Sequence, residues 1–248
     1  MYSYSEDGSS PCSTDLGGEP TVGSARRLVA GAELSLALWA ALCALPDRPG
    51  VYRLIGHDGA VVYVGKARSL LCRVSSYFAP SPDGRRLAGA IRRATASVEI
   101  VETGSEVGAL LEELRQIRAY RPRFNVQRLV HPRRAPKGRF VLFLPGQSEG
   151  AVELMGVCDG IVVGSAFTSA RRRPMRPVWA LLRRCLSPQA ANRRATEEDQ
   201  LVATWLRREQ VRCNLVDLRQ TGGVRDAARR VRAYLADPAL FISKIYLR

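Results

Sequence analysis

A β-hairpin signal centred near residue 57 constrains the fold of this chain more than any other feature of its sequence. The runs Val51–Ile55 and Val61–Val64 are rich in β-branched and aromatic residues, and Gly56-His57-Asp58-Gly59 joins them. Glycine and aspartate in a short connection between two such runs favour a tight chain reversal. We therefore expect two antiparallel strands here, which commits this part of the chain to a β-sheet.

The patterns around the hairpin indicate a mixed fold. Apolar residues at helical spacing predict helices over 66–78, 85–96 and 105–120, and alternation predicts a third strand at Val98–Glu102. Thr103 followed by Glu106 resembles a capping box that opens the last helix, which ends before Pro122. The predicted fold class is α/β (α+β), with a small three-stranded sheet flanked by helices.

The apolar stretch Leu28–Leu45 imitates a signal anchor because Arg26 and Arg27 precede it. Glu33 lies inside the stretch, and a carboxylate at mid-membrane costs about 3 kcal/mol. The residues before the stretch are acidic, opposite to the start of a secretory signal. We therefore expect a buried helix and no membrane association.

Composition and charge divide the chain into three parts. Residues 1–27 are rich in Ser, Gly and Thr and predict a disordered N-terminal tail. A Pro/Arg-rich stretch, 131–138, then separates a compact part, 28–130, from a second part, 131–248. In the second part we expect strands at 139–144, 151–155, 161–163 and 213–218, and helices at 177–186, 197–210 and 224–235. It is predicted to be a basic α/β region.

The formal net charge of +15 is unusual for a chain with 46% apolar and 25% charged residues. Such a surface attracts polyanions, of which nucleic acid is the commonest. All basic residues except Lys66, Lys137 and Lys244 are arginines, as a GC-rich genome tends to produce. Codon composition explains that choice but not the excess of positive charge, most of which lies in 131–248. We expect this region to contact DNA, the alternative being a merely arginine-rich domain.

The six cysteines indicate reduced thiols rather than a metal or disulfide framework. They are widely spaced, contain no Cys-x-x-Cys pair, and are accompanied only by His57 and His131. A structural zinc or iron–sulfur site therefore has no ligand cluster. This usage is typical of a cytosolic protein, and the expected location is cytoplasmic and nucleoid-associated.

Two sets of polar residues are candidates for chemistry. If residues 66–78 are helical, then Lys66, Arg73 and Tyr77 project from one face and form a phosphate site, the alternative being a solvated charged face. In the later helix Glu113 lies on the edge of the apolar stripe, whereas Glu112 does not. A carboxylate in that position needs a cation or a metal as partner, unless it is an ordinary surface glutamate.

Several blocks in order resemble the GIY-YIG nucleases, and most of all the N-terminal nuclease module of the UvrC type. Ten residues separate Tyr52 of Gly50-Val51-Tyr52 from Tyr63 of Val62-Tyr63-Val64-Gly65-Lys66. The further blocks are Leu45-Pro46, Arg73-Val74-Ser75-Ser76-Tyr77-Phe78, Thr103-Gly104-Ser105-Glu106, Leu110-Leu111-Glu112-Glu113 and Tyr120-Arg121-Pro122-Arg123-Phe124-Asn125-Val126. The resemblance covers about a third of the chain, residues 45–127.

This resemblance implies a site and a reaction. The active-site pattern of the family falls on Tyr52, Tyr63, Lys66, Arg73, Tyr77, Glu113 and Asn125. Glu113 would hold a single Mg²⁺ or Mn²⁺, and Arg73 would stabilise the scissile phosphate. Either Tyr52 or Tyr63 would act as general base, with a pKa lowered by the Lys66 ammonium. Tyr77 and Asn125 would orient phosphate and backbone.

The expected function is a metal-dependent DNA endonuclease that nicks one strand in repair of the nucleotide-excision type. Expected partners are duplex DNA and damage-recognition repair proteins, with no small-molecule cofactor. The chain is too short for the further regions of full-length excinuclease subunits, and it looks more like short relatives with a single nuclease. A catalytically silent DNA-binding or scaffolding protein and a mobile-element endonuclease remain the alternatives.

Overall fold

The computed structural model describes residues 26–29, 32–78, 86–125, 137–148, 150–169, 174–209 and 214–237. The strands are β1 Arg26–Val29, β2 Ala32–Ser35, β3 Gly50–Gly56, β4 Val61–Ala67, β5 Thr95–Glu102, β6 Arg139–Pro145, β7 Ala151–Cys158, β8 Ile161–Ser169 and β9 Leu215–Asp217. The helices are α1 Leu36–Cys43, α2 Leu70–Phe78, α3 Arg86–Ala94, α4 Glu106–Tyr120, α5 Arg176–Leu186, α6 Glu197–Glu209 and α7 Val224–Ala236.

The predicted hairpin forms two strands of a three-stranded antiparallel sheet in the order β4-β3-β5, with β3 at its centre. Gly59 has a positive φ of 78° in the reversal between β3 and β4, a conformation that glycine adopts without strain. One face of the sheet is covered by α1, α2 and α3, which bury apolar side chains against Leu54 and Val62. The mixed α/β class with a small three-stranded sheet is therefore confirmed.

A second antiparallel sheet has the order β8-β7-β6-β9. Val141, Phe143 and Leu154 face α5 and α7 on one side of it. Leu142 and Met155 face α6 on the other side, because each is the direct neighbour in its strand of a residue that faces α5 and α7. Strand alternation thus lets a single sheet bury apolar residues on both faces. The strands and helices expected in the second part are all found, most within two residues of their predicted ends.

Helix α4 lies between the two sheets and contributes to both cores. Ala109 packs with Val51 and Val64 of the three-stranded sheet. Val107 and Leu111 pack instead with residues of β6, β7 and α6. The layers therefore follow one another as α1–α3, the first sheet, α4 with α6, the second sheet, and α5 with α7. Burial of α4 on two sides ties the two parts of the chain together.

The expected single helix over 28–45 is wrong in its first half. Residues 26–29 and 32–35 pair as two antiparallel strands, β1 and β2, and the helix begins only at Leu36. Ser35 sets that start, since its Oγ accepts the Leu38 N–H at 3.1 Å. None of the helices in the described ranges is long and apolar enough to cross a bilayer.

The start of α2 and the capping residue of α4 also differ from expectation. α2 begins at Leu70, where Ser69 Oγ accepts the Cys72 N–H at 3.1 Å, so Lys66 belongs to strand β4 and not to the helix. The N-cap of α4 is Ser105, whose Oγ accepts the Gly108 N–H at 3.0 Å, and not Thr103. In each case the serine directly before the helix supplies the oxygen that the first free N–H groups need.

Some expectations fall partly or wholly outside the described ranges. These are the tail up to residue 25, most of the boundary at 131–138, and the thiols of Cys12 and Cys213. The division into 1–27, 28–130 and 131–248 stays a prediction. Cys43, Cys72, Cys158 and Cys185 are free thiols, the last two buried and the first exposed.

Candidate active site

Three tyrosines from separate elements form one cluster on the α2 side of the first sheet. Tyr52 comes from β3, Tyr63 from β4 and Tyr77 from α2. Their ring centroids lie 5.9 to 6.1 Å apart, and the hydroxyls of Tyr52 and Tyr77 are 3.1 Å apart. Tyr52 is 1% exposed, whereas Tyr63 and Tyr77 are half-buried. The structure therefore brings together three predicted site residues in a partly open phenol cluster.

Gly65 gives the Tyr52 hydroxyl its place. Gly65 pairs with Tyr52 across β3 and β4, and a Cβ there would collide with the Tyr52 hydroxyl and lie 2.9 Å from Tyr63 Cε1. A side chain at this position would therefore displace both rings. The sequence carried this signal in the block Val62-Tyr63-Val64-Gly65-Lys66, although the role of Gly65 was not anticipated.

The expectation that Lys66 lowers a tyrosine pKa is wrong. Burial raises the pKa of Tyr52 and of Tyr63 above the usual value near 10, and the neighbouring phenols raise both further. The positive charge that opposes this shift belongs to Arg73. Lys66 lies at the end of β4, where its Nζ pairs with Glu106 Oε1 at 3.8 Å.

Arg73 is placed against the cluster as the helical spacing predicts. It lies one turn before Tyr77 on α2, and its Cζ is 5.5 Å from the Tyr77 ring centroid. Interaction with the phenols raises the pKa of the Arg73 guanidinium, against the lowering effect of its own desolvation. Because its side chain is exposed, the guanidinium combines contact with the cluster and access for an incoming anion.

Glu113 reaches the same region from the opposite side of the sheet. Its Oε1 accepts the backbone N–H of Lys66 at 3.2 Å, and its charge contributes to the raised pKa of Tyr63. Glu112, the next residue on α4, instead accepts from Gln116 Nε2 at 2.9 Å and pairs with Arg115. The sequence distinction between the two glutamates agrees with these different partners.

Asn125 hydrogen-bonds to the backbone of β4, a role that the resemblance did not imply. Its Oδ1 accepts the Val64 N–H at 2.9 Å, and its Nδ2 donates to the Val64 carbonyl at 2.8 Å. The Phe124 N–H donates to the Val62 carbonyl at 3.1 Å just beside it. Both amide atoms are therefore used to hold edge strand β4, which makes Asn125 a positioning residue for Tyr63 and Lys66.

Glu106 is a second residue whose role the sequence did not predict. The sequence pattern predicts that Glu106 is half of a capping box. In the structure its carboxylate pairs with the Lys66 ammonium and, at 3.1 Å, with Arg68 Nη2. It therefore sets where the Lys66 ammonium lies. Glu106 belongs to the block Thr103-Gly104-Ser105-Glu106, but its contact with Lys66 depends on the pairing of β4 with β3, which the sequence pattern does not reveal.

The donor set around Glu113 suits a hydrated divalent cation better than a protein-enclosed one. Across the described ranges, no group of three His, Cys, Asp or Glu side chains could hold a metal ion. A single carboxylate leaves most coordination positions for water and phosphate oxygens, which Mg²⁺ accepts readily. The residues therefore fit a one-metal site at Glu113.

Comparison with known proteins confirms the resemblance. The family model of the UvrC-like GIY-YIG domain matches residues 48–126. Among curated relatives, the UvrABC system protein C of Rhizobium meliloti is 45% identical over 112 residues, 43% of this chain and 16% of the relative. That of Nitrobacter winogradskyi is 51% identical over 82 residues, 33% of this chain and 12% of the relative. The match thus spans less than a fifth of the length of these relatives.

Among solved structures, the chain is similar to the GIY-YIG N-terminal endonuclease domain of UvrC from Thermotoga maritima bound to magnesium. The two are 27% identical, with a TM-score of 0.34, over 38% of this chain and all of that one. A tyrosine-to-phenylalanine point mutant of the same domain, bound to its catalytic divalent cation, gives 26% identity and a TM-score of 0.35 over the same shares of the two chains.

Proposed function

We propose that this chain, which carries a UvrC-like GIY-YIG domain at residues 48–126, is a metal-dependent endonuclease that nicks one strand of DNA. The observation that carries the proposal is the convergence of the tyrosine cluster, Arg73 and Glu113 around the end of β4. Phosphodiester hydrolysis needs a proton acceptor for water, a cation for the developing phosphorane charge, and a place for a metal. The site offers one group for each need.

Tyr63 is the better candidate for the general base. Tyr52 is almost wholly buried and its hydroxyl hydrogen-bonds to that of Tyr77, whereas Tyr63 is half-buried and its pKa is raised in part by the charge of Glu113. A phenol whose pKa is raised stays protonated at neutral pH, so its work as a base depends on the positive charge around it. Arg73 supplies part of that charge.

Arg73 is proposed to bind the scissile phosphate. Its exposed guanidinium carries several donors in a planar fork, which matches the geometry of phosphate oxygens. Glu113 would hold the divalent cation, which supplies charge neutralisation and an acidified water when bound. Lys66, held by Glu106, adds positive charge at the rim of the site.

We propose that the chain acts in DNA repair of the nucleotide-excision type, with damage-recognition proteins as partners. This proposal rests on its relatives, which are named UvrABC system protein C. A cytoplasmic, nucleoid-associated location is proposed on the same ground. A mobile-element endonuclease would share the same chemistry and differ in the DNA that it cuts.

A nicking assay on supercoiled plasmid tests the proposal. The full chain should convert supercoiled to open-circular DNA with Mg²⁺ or Mn²⁺ and should not do so in EDTA. Binding to the plasmid without any nicking in either metal would instead favour a catalytically silent DNA-binding or scaffolding protein. The presence of both Glu113 and Arg73 argues against that alternative, since a protein that only binds DNA has no chemical need for the two together.

A further inference from the structure

The outer helical layer of the second sheet concentrates positive charge that the proposed active site does not use. α5 contains three arginines and no acidic residue, and α7 contains four arginines and one aspartate. α6, on the other face of the sheet, contains four acidic residues and two arginines. The two faces of the second sheet therefore carry helices of opposite charge.

Helical spacing turns these arginines away from the core. Arg176 and Arg183 of α5 are seven residues apart and share one face, opposite the buried residues of that helix. Arg225, Arg229 and Arg232 follow the spacing i, i+4, i+7 on α7 and are also exposed. Because α5 and α7 contact each other, the two stripes adjoin. We call these five side chains the α5–α7 surface.

Most of this charge is available to an external anion. Arg229 pairs with Asp226 at 2.8 Å. Arg176, Arg183, Arg225 and Arg232 form no ion pair with any residue in the described part of the chain. Guanidinium groups without an internal acidic partner favour phosphate oxygens, which they bind through paired N–H donors.

We propose that the α5–α7 surface binds the phosphate backbone of duplex DNA at a place separate from the active site. The helical layer of α4 and α6 and the whole second sheet lie between this surface and the sheet that carries Tyr52 and Tyr63. The surface and the tyrosine cluster therefore lie on opposite sides of the layered fold. The surface holds a second DNA segment, or the far arm of a bent one, and this inference extends the proposed function.

The composition of the surface favours nucleic acid over an anionic membrane. Helices that bind membrane surfaces insert large apolar side chains beside their basic residues. Among the described residues the exposed large apolar side chains are Leu36, Leu87, Tyr120 and Phe167, none of them on α5 or α7. The surface has charge without the apolar part that membrane insertion requires.

Salt-dependent binding of the full chain to a fluorescent duplex of about 30 base pairs, in EDTA, tests this proposal. Each phosphate contact adds about 0.9 to the magnitude of the slope of log K against log salt. We expect R183Q/R232Q to reduce that magnitude by about 2 and R176Q/R183Q/R225Q/R232Q by about 3 to 4. The matched control, R194Q/R207Q, removes two exposed arginines that lie outside this surface and form no ion pair with any described residue.

Equal slopes for R183Q/R232Q and its control would overturn the proposal, provided that thermal unfolding shows both folded. It would also be overturned if duplex binding were unchanged while binding to phosphatidylserine vesicles fell. EDTA keeps this result independent of cleavage. A wild-type chain that never nicks plasmid would contradict the proposed function, whereas the slopes would still report on the surface.

Discussion

The carboxylate of Glu113 and the backbone of Lys66 are joined by a hydrogen bond of 3.2 Å between the Lys66 N–H and Oε1. β4 is an edge strand, so one row of its backbone groups faces away from the sheet. Phe124 and Asn125 satisfy neighbouring groups of the same row. One edge of the sheet thus takes its partners from α4 and the segment after it, and residues that hold the fold also form the site.

Glu113→Gln should abolish nicking while leaving folding and DNA affinity near wild type. Glutamine keeps an Oε1 that can accept the Lys66 N–H, so the edge of β4 stays in place. It removes the charge that would hold the divalent cation, which supplies several kcal/mol of transition-state stabilisation. Plasmid nicking and duplex binding are the measurements.

Glu112→Gln is the matched control, because that side chain contacts Gln116 and Arg115 away from the tyrosine cluster. It should nick at close to the wild-type rate. If Glu113→Gln retained more than about a tenth of the wild-type rate, a loss below about 1.4 kcal/mol, Glu113 would not be the metal ligand.

The pH dependence of nicking should respond to Arg73 and not to Lys66. The Arg73 charge lowers the pKa of Tyr52 and Tyr63 against the effect of burial, so its removal raises both values further. A general base with a higher pKa is deprotonated only at higher pH. Arg73→Met should therefore move the rising limb of the pH–rate profile to higher pH, besides slowing the reaction.

Lys66→Met should slow nicking at every pH without moving that limb, since the Lys66 ammonium pairs with Glu106. Single-turnover rates from about pH 6 to 11, together with titration of the tyrosine absorbance in each variant, separate the two variants. A limb that moved with Lys66→Met and stayed fixed with Arg73→Met would show that the charge that tunes the base belongs to Lys66, contrary to this prediction.

The sequence predicted the elements better than their exact starts, and Lys66 shows why. Residues 66–69 fit a helix by local spacing, but pairing with β3 holds Lys66 in β4, and the hydroxyl of Ser69 starts the helix. Pairing of this kind is a tertiary effect that overrides local propensity. The prediction that Lys66, Arg73 and Tyr77 share one helical face was therefore wrong for Lys66. It was correct that Arg73 and Tyr77 lie one turn apart on the same side of a helix.

Glu113 could be singled out because an apolar stripe on a helix reveals which carboxylate lies at its edge. The roles of Asn125 and Glu106 could not be predicted in this way. Each depends on a partner more than 35 residues away, Val64 and Lys66 respectively. Only the folded arrangement of the sheet edge brings these groups within hydrogen-bond distance.

Asn125→Ala should destabilise the fold by about 1 to 3 kcal/mol. The substitution removes two hydrogen bonds and leaves the Val64 N–H and carbonyl without them at the edge of β4. Thermal unfolding should show a lower Tm, and the Val64 amide should exchange faster with solvent. Asn192→Ala, at an exposed position after α5, should change stability by less than about 0.5 kcal/mol. Normal Val64 exchange in Asn125→Ala would contradict the positioning role.

A chain that ends at residue 130 should fold poorly, because α4 needs the second part as well as the first. Val107 is 0% exposed and, with Leu111, packs against β6, β7 and α6. Truncation would leave this apolar stripe in water, and we expect self-association in light scattering. Leu111→Lys should reduce the association of the truncated chain yet destabilise the full chain by about 2 to 5 kcal/mol. A monomeric truncated chain that Leu111→Lys leaves unchanged would show that the first part completes its own core.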